Sequence, residues 1–219
     1  QEQALRQRDV RGLETAGAYV AGSDPALDRA IAFSRRAQNR AGGWDYTADG
    51  PGNTALSVWQ ISLLAEARAQ GRPDDGGHLR RGLAWLRGQA GDDGAFGYRR
   101  PGVPPPGRDS VTLTAMAAAT LLAAARDYPE LGPAAGAAVE TLRRMEASRP
   151  RETPDYYRDY FLVQAFARGA DEAAAARLRQ AVAARQAPAG ENRPPWEARD
   201  AWRPSGGDLY ATAMALLSI

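Results

Sequence analysis

Apolar residues recur along this chain at three- and four-residue spacing, between stretches punctuated by glycine and proline, and alternating strand patterns are absent. The pattern predicts a succession of helices. The first covers Gln3 to Ala21 and stops at Gly22-Ser23-Asp24-Pro25. The second runs from Pro25 to Arg40, with Asp24 as N-cap and Pro25 at the first helical position. The others span Asn53 to Gln70, Gly77 to Gln89, Asp109 to Tyr128, Pro133 to Ser148, Asp155 to Arg168 and Asp171 to Gln186, and the last begins at Asp208.

Two classes of helix alternate. The third, fifth, seventh and ninth are poor in charge and rich in small or aromatic side chains. The second, fourth, sixth and eighth carry Arg and Glu on one face, as in Leu142-Arg143-Arg144-Met145-Glu146. A helix apolar all round is buried, and an amphipathic one faces water on one side. The charge-poor helices start at Asn53, Asp109, Asp155 and Asp208, roughly every fifty residues, which is the mark of a repeat architecture. The expected fold is all-α: an α/α toroid with inner and outer helices in concentric layers. It forms a single domain over residues 1–219, built of about four helical-hairpin repeats.

The turns repeat as well. Ala32-Phe33 leads through Gln38 to Gly42-Gly43-Trp44-Asp45-Tyr46, and Ala84-Trp85-Leu86 leads through Gln89 to Gly94-Ala95-Phe96-Gly97-Tyr98. Trp44 is expected to be buried between repeats with Gln38 close by. Phe96 and Phe161 are expected in the core. The run Pro104-Pro105-Pro106 marks an extended insert from Arg99 to Arg108.

Composition narrows the chemistry. At 44% hydrophobic and 25% charged over 219 residues, the chain is that of an ordinary globular protein. With no cysteine there is no disulfide, no thiolate chemistry and no Cys-ligated zinc. The single His78 cannot form a histidine cluster, and after Gly76-Gly77 it is expected to face solvent. No metal and no cofactor are expected. The formal charge of +2 demands neither nucleic acid nor an anionic membrane as partner. The longest apolar stretch, Leu113 to Ala125, is too short for a transmembrane segment. A start at Gln1 without Met, and an end inside a helical pattern, read as a trimmed or excised piece.

These residues resemble the terpenoid cyclase and protein prenyltransferase superfamily of α/α toroids. Phe33, Gln38, Gly43 and Trp44 look like the QW motif of that superfamily. The second repeat departs from it, since Gln89 comes one residue early and Phe96 replaces Trp. The third keeps only Gln186 and a distant Trp196. A closer similarity is to uncharacterised bacterial proteins with prenyltransferase and squalene oxidase repeats. It is carried by Gly42 to Tyr46, by Asn53-Thr54-Ala55-Leu56-Ser57-Val58-Trp59-Gln60, by Tyr156-Tyr157 and by Gly206 to Ala213. The resemblance covers Leu27 to Ile219 and implies the toroid fold; a superfamily this varied does not fix an activity. Class II cyclases of this kind protonate an alkene with an Asp of an Asp-x-Asp-Asp-Thr-Ala stretch. The matching residues here are Gly50-Pro51-Gly52-Asn53-Thr54-Ala55, without a carboxylate. The zinc-binding prenyltransferases place Asp, Cys and His on inner helices. Asp208 stands at a comparable start, but Tyr210 occupies the position of the Cys.

Asn53, Asp109, Asp155 and Asp208 first read as helix caps, which satisfy free backbone N–H groups. A toroid also brings all inner starts around one mouth, where carboxylates and aromatic rings with polar tips suit ligand contact. The candidate ligand-binding residues are therefore Tyr46, Asn53, Asp109, Asp155, Tyr157, Asp159, Trp202, Asp208 and Tyr210. No catalytic residue is assigned. The reading is a non-catalytic or diverged toroid binding a protein, peptide or small ligand. The alternatives are an enzyme acting on an isoprenoid and a carbohydrate-active (α/α) barrel.

Overall fold

The computed structural model describes residues 25–47, 49–74, 76–104, 110–147, 154–187, 194–200 and 202–219. The first expected helix, Gln3 to Ala21, lies outside the described residues, as do Asp109 and most of the proline run. Within them the chain is all-helical. The helices are α1 (Pro25–Ala37), α2 (Thr54–Ala69), α3 (His78–Arg87), α4 (Val111–Ala124), α5 (Gly132–Ala147), α6 (Tyr156–Arg168), α7 (Glu172–Ala183) and α8 (Arg203–Ser218). A short 3₁₀ turn, Pro129–Leu131, leads into α5.

Side-chain caps set several starts. Asn53 accepts the Leu56 N–H, Asp155 that of Arg158 and Asp171 that of Ala174. Asp74 takes the N–H groups of both His78 and Leu79 and so caps α3. α4 begins at Val111, within two residues of the expected start, with Ser110 before it. The last start is displaced. α8 begins at Arg203, and Asp208 instead follows an internal break at Gly207, whose φ of 57° and ψ of −159° are non-helical.

The even-numbered helices pack in series, α2 on α4, α4 on α6 and α6 on α8. The odd-numbered helices flank them: α3 lies against α2 and α4, α5 against α4 and α6, α7 against α6 and α8. α4 sits at the centre, and its residues Leu113 to Ala119 are all buried. Its alanines let neighbouring backbones approach closely. The main core runs from Ile31 to Ala175, and a second core around Tyr156, Val182, Trp196 and Met214 joins α6, α7 and α8.

One device recurs between hairpins. In three connections a large aromatic residue wedges into the core, and a hydroxyl of the following even helix holds its backbone; Ser57 and Thr114 stand one turn into α2 and α4, and Thr212 one turn past the Gly207 break in α8. Ser57 Oγ accepts the Trp44 N–H at 3.0 Å, and Thr114 Oγ1 accepts the Phe96 N–H at 3.0 Å. Thr212 Oγ1 donates to the Trp196 carbonyl at 3.5 Å. The two indoles share a further bond: Trp44 Nε1 donates to the Ser34 carbonyl at the end of α1, and Trp196 Nε1 to the Val182 carbonyl at the end of α7. Gln38 fixes the first turn through its amide, which donates to the Gly42 and His78 carbonyls. His78 is therefore not free in solvent as expected; its Nδ1 pairs with Gln38 Oε1 at 2.8 Å and its ring is half-buried. Gln89 works differently, offering its backbone carbonyl to Gly97 and Gly102. The Gly42-Gly43 pair has a packing reason. Gly42 has φ of 103°, and a Cβ at Gly43 would stand 2.5 Å from the Trp85 indole.

Candidate functional site

α2, α4 and α6 share one open face. If three helices at ordinary spacing lay flat, the axes of α2 and α6 would be about 16–20 Å apart. Yet Trp59 of α2 meets Phe161 of α6 with ring centroids 5.7 Å apart and donates its indole N–H to the Tyr157 hydroxyl at 2.9 Å. The long aromatic side chains thus meet across α4.

The aromatic contact closes one end of the concavity. Tyr157 stacks obliquely with Trp202 at 5.4 Å and edge-on with Phe161 at 5.1 Å, and Tyr160 packs on Phe161 at 4.9 Å. Phe161 is buried, as expected, whereas Trp59 and Trp202 keep 45% and 37% of their surface exposed. From Trp59 and Phe161 a cavity of about 650 Å³ runs towards the C-terminal ends of the same helices. Its middle is made of small residues: Ser62, Ala65, Ala69, Ala119, Thr120 and Ala123. Its far end is charged. There Arg68 donates to the Tyr128 hydroxyl at 2.8 Å and lies 3.5 Å from Asp127, while Glu66, Gln164 and Arg168 complete the wall.

The sequence-derived candidates divide into two groups. Asp155, Tyr157, Trp202, Tyr210 and Tyr46 come together around the starts of α6 and α8. Asp155 is half-buried; burial pushes its carboxyl up, the Arg158 guanidinium and N–H oppose this, and Asp200 and Asp159 add to it. Tyr157 is pushed up to about 12, mainly by burial, with Asp155 and Tyr46 contributing. Tyr210 is raised by burial and by Asp200 and Asp155, and its hydroxyl is shielded from water without a well-formed hydrogen bond. Tyr46 is largely exposed and stands beside Tyr98, whose phenol is raised by burial and by this neighbour.

The second group is structural. Asn53 is fully buried; it caps α2 and donates to Asp45 at 3.3 Å, so it cannot meet a ligand. Asp159 is buried too. It occupies the position in α6 that Ser57, Thr114 and Thr212 hold in the other even helices, and it binds Arg185 at 2.7 Å and Arg158 at 3.4 Å. The expected shared face of Asp155 and Asp159 therefore serves a cap and an ion-pair clamp between α6 and the end of α7. Asp208 is exposed but accepts the Ala198 N–H at 2.8 Å, which fixes the loop before α8.

Sequence reasoning missed Asp200 and the charged end of the cavity, and it left Trp59 without a role. Asp200 lies in an unpatterned loop. Trp59 carries a visible signal, since it stands on a charge-poor helix with Ser62 and Glu66 on the same face. Among the described residues no group of three or more carboxylate or imidazole side chains is arranged to hold a metal ion. No helix there is long and apolar enough to cross a membrane. No protein-family model matches the chain, and no curated protein shows significant similarity to it.

Proposed function

We propose that the chain is a ligand-binding helical-repeat module of the α/α-toroid kind, akin to squalene cyclases and prenyltransferases in architecture but diverged in chemistry. In this reading α2, α4, α6 and α8 line the inner wall, and the odd-numbered helices form the outer layer. Leu209, Leu216 and Leu217 of α8 remain exposed. The ligand, a small molecule or a protein segment, occupies the concave face between the aromatic rim and the charged end.

The observation that carries the reading is the 650 Å³ cavity itself, lined by three successive even helices with exposed aromatic rings at its edge. That volume and mixed lining suit a drug-sized or side-chain-sized ligand. Cyclisation of an alkene is disfavoured by the site's chemistry. The position of the acid holds Asn53, an amide engaged in capping, and an open, polar-ended groove does not keep water from a carbocation. The test is a thermal-shift screen of small polar and aromatic ligands against the wild type and an Ala123→Trp variant that fills the groove. Ligands that stabilise the wild type and fail on the variant support the reading. Stabilisation that survives in the variant for every ligand refutes the groove as the site.

A further inference from the structure

The rim at the start of α6 and α8 combines two features that the cavity does not need. Trp59, Tyr157 and Trp202 meet there in one cluster, two of them well exposed. Behind them Asp155 and Asp159 share the guanidinium groups of Arg158 and Arg185, and Asp200 takes no part in that sharing. Arg158 and Arg185 are both drawn to Asp159, at 3.4 and 2.7 Å, and Asp155 is left with Arg158 at 3.8 Å. Asp200 Oδ1 accepts the Trp202 N–H at 2.9 Å, while its Oδ2 is shielded from water and accepts no hydrogen bond. The Tyr210 hydroxyl nearby is also shielded, with the Tyr157 backbone N–H beside it. An unpaired acceptor in such a place favours an incoming donor.

We propose that this rim, formed by Trp59, Tyr157 and Trp202 beside Asp155 and Asp200, binds an organic cation that carries N–H donors, a guanidinium or an alkylammonium group. The ring faces present negative quadrupole to a cation. The carboxylates supply the field that a neutral ligand would not feel. The shielded Asp200 Oδ2, which has no partner in the free protein, supplies an acceptor that a quaternary ammonium could not use. The phenols of Tyr157 and Tyr210 are raised chiefly by burial, and Asp155 adds to both and Asp200 to the second. The inference rests on the reading of this face as a ligand-binding surface.

The test compares three probes by tryptophan fluorescence titration: Nα-acetyl-arginine amide, Nα-acetyl-lysine amide and Nα-acetyl-citrulline amide. Citrulline keeps the shape and N–H groups of arginine without the charge. At least one cation should bind about tenfold more tightly than citrulline, the size of effect a cation over aromatic rings gives when partly desolvated. The stronger of the two identifies guanidinium or ammonium as the group read. In Asp200→Asn and Asp155→Asn the preference should fall several-fold with the helical circular dichroism unchanged; Asn still caps α6 in the second. Equal binding of all three probes, abolished by Trp202→Leu, would overturn the cation inference and leave the rim as a binding surface. A charge preference that survives in the Asp155→Asn/Asp200→Asn double variant also overturns it. No saturable response to any probe sinks both this inference and the rim's part in ligand binding.

Discussion

Truncating Trp44 tests the repeat device on which the site is mounted. The side chain is 3% exposed, its indole N–H is bonded to the Ser34 carbonyl at 2.7 Å, and its ring fills the space that a side chain at Gly82 would otherwise enter. Trp44→Ala removes the ring and should cost about 3–5 kcal/mol, as large aromatic truncations in cores do. Trp44→Phe separates the terms. It keeps most of the apolar volume but leaves the Ser34 carbonyl without its donor, which should cost about 1–3 kcal/mol. A domain stable by roughly 5–15 kcal/mol would survive the second change and be close to unfolding after the first. Urea denaturation followed by circular dichroism at 222 nm measures both without relying on the fluorescence of the deleted residue. The midpoint should fall in the order wild type, Phe, Ala, with the slope of the transition unchanged. A loss below about 1 kcal/mol for Trp44→Ala would refute the wedge as a structural element.

Trp196→Phe should cost a similar amount to Trp44→Phe, because its indole makes the corresponding bond to Val182, and the same titration compares them. Asp159→Ala should destabilise by about 1–3 kcal/mol, since it leaves Arg158 with Asp155 alone and Arg185 without its partner; a near-neutral result would show the clamp to be dispensable. Gly43→Ala should destabilise by about 1–3 kcal/mol through overlap with the Trp85 ring, read in the same assay. Asp155 gives a pH signature. Burial raises its folded-state pKa above the unfolded value of 3.8, so its folded form prefers the proton. Its contribution to stability is full below the unfolded value and is lost as pH rises through the folded one. Asp155→Asn keeps the cap and removes the charge, so it should match or exceed wild-type stability at neutral pH and show less decline across the acidic range. A variant less stable than wild type at pH 7 by more than about 1 kcal/mol would contradict this.

The all-helical character was legible because apolar spacing and capping residues agreed along the chain. Asn53 and Asp155 cap their helices as the pattern implies. Trp44 and Phe96 are buried for the reason their turns suggest: each turn must lead the chain back to the next even helix. What pattern could not supply was the partner of each polar side chain. Asn53 and Asp159 look like site residues in sequence, because a cap and a one-turn pair carry the same letters whether they face a cavity or a core. Only the third dimension shows Asp159 standing where its counterparts are hydroxyls. Asp200 was invisible because a loop has no period to place it. The helix-start reasoning found the rim but not the cavity beyond it. The cavity depends on the serial packing of α2, α4 and α6, with small residues on α4 and aromatic reach across it, and not on any local motif.

The most direct test of the binding reading is a ¹H–¹⁵N spectrum of the tryptophan indoles during titration with small polar and aromatic ligands, the arginine probe included. The chain holds 5 tryptophans. Trp44, Trp85 and Trp196 are buried, and Trp59 and Trp202 face the rim. The account predicts that a bound ligand shifts the Trp59 and Trp202 indole signals, reduces the shift of Trp59 in Ala123→Trp, and leaves those of Trp44 and Trp196 in place. Ligands that move only the buried indoles, or that bind with Trp59 and Trp202 unmoved, would contradict it.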